Sequence, residues 1–112
     1  MEFEILTHYV DEWIMDLDDD DYDQVLAALE ILEVQGPSLR RPLVGTIKNS
    51  KHKNMKEIRP LGGNLRILFA FDPLRQAILL VAGDKTNNWD RWYRDNIPIA
   101  DKRYTDHLKG KS

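Results

Sequence analysis

Residues 55–85, MKEIRPLGGNLRILFAFDPLRQAILLVAGDK, read as three antiparallel strands joined by two hairpin turns. Leu65 to Phe71 and Ala77 to Val81 are apolar, β-prone runs of strand length, each bounded by turn residues. Pro60, Gly62, Gly63 and Asn64 mark the first turn. Asp72-Pro73 opens the second, because proline presets φ at a turn's second position and aspartate supports the residue before it. A first loop centred between Gly62 and Gly63 sets Arg59 directly opposite Arg66, on one face of the sheet. A second loop centred on Leu74 brings Ala82 to Lys85 to the same sheet end, so a third cation joins the two arginines. Opposed like charges destabilise a strand pair. Such a cluster is expected to receive an anion, and a phosphate is the anion expected.

Upstream, Phe3 and Ile5 alternate with Glu2 and Glu4 as a short strand able to add to this sheet. Val10, Trp13, Ile14 and Leu17 then fall at i, i+3, i+4 and i+7, the period of an amphipathic helix. The run Asp18 to Asp21 is a poor helix interior but a good N-terminal signal, since carboxylates cap free N–H groups and suit that end of the dipole. A second helix starting there carries Tyr22, Val25, Leu26, Leu29 and Leu32 on one stripe and stops at Gly36-Pro37. The two helices are expected to form a hairpin on the sheet, with the stripe as core.

Ser38 to Asn54 reads as a basic loop. Seventeen residues is long for a structureless connection, and such a segment is functional or hides a short strand. Lys48, Lys51, Lys53 and Lys56, with His52 among them, are its candidate nucleic-acid contacts. After Lys85, Asn87 or Asn88 is placed to cap a short helix holding Trp89, Trp92 and Tyr93, and Pro98 suits the first turn of a last helix. Trp92 is expected to anchor this helix to the sheet. Trp89, nearer the cations, is the candidate for stacking on a base.

A chain of 112 residues is expected to form one domain, residues 1–112. It has no cysteine, which excludes disulfide scaffolds, thiolate metal sites and cysteine nucleophiles. No apolar run approaches the roughly 18 residues of a membrane span, and the start lacks the basic segment of a signal peptide. A cytoplasmic protein without membrane attachment is expected. The net charge of −3 hides a division: the first 35 residues hold twelve of the nineteen acids and none of the sixteen Lys and Arg. Between Arg40 and Arg66 there are eight bases and one acid, Glu57, a local field that draws a polyanion whatever the overall pI. No zinc spacing, phosphate-binding glycine loop or nucleophile elbow occurs, so neither metal nor cofactor is expected.

The segments KEIRP at 56–60, LRILFAFDP at 65–73 and LLVAGDKTNNWDRWYRDNIPIADKRY at 79–104 resemble the RelE/HigB-type toxins of bacterial type II toxin–antitoxin systems, in their phage-derived Gp49-like branch. The resemblance covers most of the chain. It implies an α+β fold, the RelE/ParE-like microdomain: a small, mainly antiparallel sheet with an N-terminal helical hairpin on it, in the order β-α-α-β-β-β-α. It also implies a metal-independent endoribonuclease that cleaves messenger RNA, commonly on the ribosome, and is silenced by an antitoxin such as a HigA-like helix-turn-helix protein.

Carried over by position, Arg59, Arg66 and Lys85 match the family's catalytic cations. In the family's reaction the ribose 2′-hydroxyl attacks the adjacent phosphorus and expels the 5′-oxygen. Guanidinium forks match phosphate and do not act as bases, whereas a lysine beside them is suited to carry a proton. The chain departs from the family pattern in showing no tyrosine evidently beside this site; Tyr93 and Tyr104 are the nearest in sequence. His107 does not align with the C-terminal histidine of some relatives. Two other readings share the fold: a ParE-like toxin that acts on DNA gyrase without catalysis, and a non-cleaving protein that binds RNA or an antitoxin.

Overall fold

Side chains alternate across a strand, so the apolar runs of residues 65–84 feed two cores, one on each face of the sheet. The computed structural model describes residues 3–61 and 63–110. Five strands, β1 (Glu4–Leu6), β2 (Val44–Thr46), β3 (Lys56–Ile58), β4 (Leu65–Phe71) and β5 (Gln76–Asp84), lie in the order β1-β5-β4-β3-β2. β1 is parallel to β5 and the other neighbours are antiparallel. Helices α1 (Asp11–Met15) and α2 (Asp19–Gln35) cover one face, and α3 (Trp89–Leu108) covers the other. The α+β sheet with its helical hairpin is as expected, and β2 is the short strand inside the basic connection.

On the first face Ile58, Ile67, Phe69 and Leu79 meet Val25, Ala28, Leu29 and Leu32 of α2. On the second, Met55, Leu68, Ile78 and Leu80 meet Ile97, Ala100 and Tyr104 of α3. A fully buried Leu, Ile or Phe contributes about 1.5–3 kcal/mol. Burial on both faces is why β4 and β5 read as continuous apolar runs instead of alternating ones.

Asp18 caps α2, its carboxylate accepting from the Asp21 N–H at 2.8 Å. The helix ends at Gly36, whose φ of 55° and contact with the Phe3 ring leave no room for a Cβ. Its buried stripe differs from the expected one. Tyr22 and Leu26 are 37% and 41% exposed, and Ala28 takes their place with Val25, Leu29 and Leu32. The small side chain lets α2 approach the sheet closely, and the face rotates to present it. The first helix is also shorter than its periodicity suggests, five residues, because the chain turns at Asp16 before entering the aspartate run.

The C-terminal segment is one helix of 20 residues with Pro98 inside it, not two helices. Proline removes one i→i−4 hydrogen bond, at a cost of about 3 kcal/mol in an ordinary helix. Tyr93, Ile97, Ala100 and Tyr104, at i, i+4, i+7 and i+11, nevertheless all join the second core. A single apolar stripe crosses the proline, and its burial outweighs the lost bond. The far end of α3 is tied to the β4–β5 turn: Tyr104 Oη donates to the Phe71 carbonyl at 2.7 Å, and His107 Nε2 meets Asp72 Oδ2 at 2.8 Å. The other oxygen of Asp72 accepts from the Leu74 and Gln76 N–H groups, which is the aspartate-supported turn the sequence suggested.

One irregularity sets the geometry of the opposite sheet end. Phe71 pairs with Ala77 as a loop centred on Leu74 requires, but between Leu68 and Phe69 the register slips by one residue. Leu80 is the extra residue of a β-bulge, and its carbonyl accepts from Arg103 Nη1 of α3 at 2.6 Å. Leu80 and Val81 therefore both enter the α3-facing core, and beyond the bulge Arg66 pairs with Gly83 instead of Ala82.

Candidate active site

The register at the first turn is the expected one: Ile58 pairs with Ile67, which aligns Arg59 with Arg66 one step further on. Residues 57, 59 and 66 stand on the α3-facing side, since their neighbours Ile58 and Ile67 belong to the other core. The two guanidiniums share a partner. Glu57, 3% exposed, accepts from Arg59 Nε and Nη2 at 3.1 and 2.8 Å through Oε2, while its Oε1 lies 3.9 Å from Arg66 Nε. Arg66 Nη1 is held by the carbonyls of Leu65 and Gly63 at 2.7 and 3.2 Å. Its Nε is buried and, among the described residues, without a hydrogen-bond partner. The anion that the opposed cations call for is in part built into the strand.

A fourth group completes the cluster. Tyr93 of α3 donates its hydroxyl to Glu57 Oε1 at 2.5 Å. Burial, reinforced by the Glu57 carboxylate and opposed by Arg66, pushes this phenol up to about 12. A tyrosine does stand beside the predicted cations, against the expectation from sequence order. Two signals pointed to these missed residues. Glu57 is the lone acid among eight bases and lies two residues before Arg59, on the same strand face. Tyr93 lies one helical turn beyond Trp89.

Two glycines make the space. A Cβ at Gly45, paired with Glu57 across β2, would fall 2.7 Å from Arg59 Nη2. One at Gly83 would fall 2.4 Å from Trp92 Nε1, so the indole is seated against this glycine, edge-on to Tyr93 at 5.2 Å between ring centres. Trp92 is thus the anchor it was expected to be. Gly83→Ala is expected to displace the indole and with it Tyr93, lowering stability by about 1–3 kcal/mol, the usual range for overpacking. Urea unfolding followed by tryptophan fluorescence measures this, and an unchanged midpoint would rule out the tight seat.

Lys85 is tied to the same end by its N–H, which donates to the Asn64 carbonyl at 3.0 Å. Its Nζ lies 5.7 Å from the centre of the Trp89 ring, and Trp89 is 56% exposed. Lys48 and Lys51 line a groove of about 880 Å³ between the loop and α3 that also reaches Trp89 and Tyr93. Lys53 is exposed near them in sequence. His52 is turned toward α3, with Nε2 2.9 Å from Thr105 Oγ1 and its ring edge-on to Tyr104. Lys56, beside Ile58 in alternation, stands on the opposite face and lines a smaller hollow with Arg40 and Arg41. His107 pairs with Asp72, six residues or about 20 Å along β4 from Arg66.

Residues 12–105 match the family described as phage-derived protein Gp49-like. The chain belongs to the Gp49-like family. Over 99 residues it is 54% identical to HigB3, a toxin candidate of Mycobacterium tuberculosis, covering 88% of this chain and 87% of that protein. A second toxin candidate of the same organism, HigB2, is 49% identical over 102 residues, of which this chain spans 51% of the length. The crystal structure of an archaeal RelE–RelB complex from Pyrococcus horikoshii superposes with a TM-score of 0.59 at 18% identity, covering 78% of this chain and 99% of that one. This Gp49-like chain is therefore a RelE/HigB-like toxin by family and has the RelE fold. Among the described residues of this Gp49-like chain no helix is long and apolar enough to cross a membrane.

Proposed function

We propose that this toxin is a metal-independent endoribonuclease that cuts messenger RNA in translation, with an antitoxin of the helix-turn-helix, HigA-like kind as its silencer. The observation that supports it best is the juxtaposition of Arg59, Arg66 and Tyr93 around Glu57 at an accessible sheet end. The arginines grip the scissile phosphate, where preorganised cations stabilise the charge that grows on its non-bridging oxygens. The 2′-oxygen forms a bond to phosphorus and the bond from phosphorus to the 5′-oxygen breaks, leaving a 2′,3′-cyclic phosphate and a 5′-hydroxyl.

Tyr93 donates a hydrogen bond to Glu57, so a free lone pair of its oxygen is the acceptor for the 2′-hydroxyl proton as Glu57 takes the phenolic one. Lys85 supplies a proton to the departing 5′-oxygen. Lys48, Lys51 and Lys53 hold the RNA backbone, and His52 braces their loop. The partner assignment draws on the RelE relative, which was solved with RelB bound.

Pulsed induction in a bacterium tests this. Protein synthesis is followed by labelled amino-acid incorporation while 5′ ends of messenger RNA are mapped. The expected result is a collapse of synthesis within minutes, with new 5′ ends inside translated regions. Arrested growth with intact RNA and a rising DNA-damage response would replace the nuclease with the gyrase-directed reading.

A further inference from the structure

The groove beside α3 is longer than a phosphate site needs. It reaches from Trp89 and Tyr93, at the cationic cluster, to Thr105, sixteen residues or about 24 Å along the helix. Its two walls differ in origin and agree in charge. Lys48 and Lys51 come from the loop, and Arg94 and Lys102 come from the exposed side of α3. Of its two acids, Asp101 is turned away into the loop, where Ser50 Oγ and the Lys51 N–H donate to it at 2.5 and 3.0 Å and fix the loop wall on the helix. Asp90 is the remaining carboxylate of the lining. Lys102 pairs with Asp106 in an exposed i,i+4 contact, which is weak enough to yield to a phosphate. Between the cations the surface is aromatic and aliphatic, with Trp89 and Tyr93 followed by Ile97 and Pro98.

We propose that this groove is a track for an unpaired RNA strand, running from the phosphate clamp along α3 and carrying bases on Trp89 and Tyr93 with phosphates on Arg94 and Lys102. The inference rests on the nuclease reading for the identity of the strand and extends the substrate well beyond the scissile step. The pattern fits single-stranded nucleic acid because aromatic faces stack any base, while cations on both rims follow the backbone. A duplex presents no free base faces to such aromatic side chains.

The test uses the full chain and a short single-stranded RNA in which every 2′-oxygen is methylated, so that it binds without being cut. Affinity is measured across a range of salt concentrations for wild type, Arg94→Gln/Lys102→Gln and Arg66→Ala, with tryptophan fluorescence as a second signal. Both groove changes are at exposed helix positions where glutamine is well tolerated. Loss of two phosphate contacts is expected to reduce the slope of log K against log salt by about 1.4, since each contact on a single strand contributes about 0.7. Trp89→Leu is expected to remove most of the fluorescence change and weaken binding roughly tenfold. An unchanged salt slope in the double variant overturns the track and leaves the nuclease standing if wild type still cuts messenger RNA. A reduced slope with no cleavage by wild type keeps the track and removes the nuclease. An oligoglutamate peptide that binds as tightly as the RNA, with the same dependence on Arg94 and Lys102, overturns the proposal in favour of an acidic protein partner.

Discussion

Replacing Arg66 with alanine is expected to abolish growth arrest and messenger-RNA cleavage while the protein remains folded. Arg66 sits 13% exposed at the centre of the cluster, paired with Gly83 on one side and aligned with Arg59 on the other. Its Nε is buried beside Glu57 and its Nη1 is held by the Leu65 and Gly63 carbonyls, so the guanidinium is fixed in place before an anion arrives. Removal of one preorganised donor to a transition-state anion reduces turnover about 10²–10³-fold. The folding effect should be small by comparison, because Arg59 continues to satisfy Glu57 at 2.8 Å. Purified wild type and Arg66→Ala are compared by circular dichroism and by cleavage of messenger RNA in a translation reaction. A folded Arg66→Ala protein that still cuts at the wild-type rate would remove Arg66 from the chemistry.

Loss of Glu57 is expected to have the other large effect, and the two obvious substitutions separate its roles. Glu57→Ala leaves Arg59 and Arg66 opposed without their shared carboxylate and strands the Tyr93 hydroxyl. Breaking a buried ion pair from one side typically costs about 3–5 kcal/mol, so this variant is expected to unfold at markedly lower urea concentration. Glu57→Gln keeps the shape and an acceptor for Tyr93 but removes the charge. Tyr93 should then fall from about 12 toward its ordinary value of 10, although burial retains part of the rise.

The sign for stability follows from the raised value. Native Tyr93 holds its proton more tightly than the unfolded chain does. Its contribution is therefore complete below pH 10 and lost as pH rises from 10 through about 12. Titration of phenolate absorbance in wild type, Glu57→Gln and Tyr93→Phe isolates this tyrosine from the other three. If Tyr93 titrates identically with glutamate and glutamine at position 57, the carboxylate does not govern it and the proton route proposed through Glu57 fails.

Much of this site was legible because its parts are local. The connection between β3 and β4 is short in sequence, so its centre fixes the pairing of Arg59 with Arg66, and the observed register agrees. The Asp72 turn, the Asp18 cap and the Gly36 stop are likewise set by residues within a few positions of one another. The helix reading failed at Pro98 for the opposite reason. A proline is a local stop signal, but the stripe formed by Tyr93, Ile97, Ala100 and Tyr104 gains its energy from a sheet that lies elsewhere in the chain.

The sequence by itself determined β1, β3, β4 and β5, the hairpins between the last three, the charge division and the meeting of Arg59 with Arg66, since each follows from period, turn chemistry or short-range pairing. Only the tertiary structure decided what surrounds those arginines. The bulge at Leu80 forms because Val81 and Leu80 are both buried against α3 and because Arg103, on that helix, takes the carbonyl the bulge frees. That single slip sets Gly83 opposite Arg66, seats Trp92 on the glycine and lets Tyr93 reach Glu57. The hydrogen bond from Tyr93 to Glu57 joins segments 36 residues apart and carries no local period or turn signal, which is why the cations and the nearby Glu57 left a trace in the chain and their phenol partner did not.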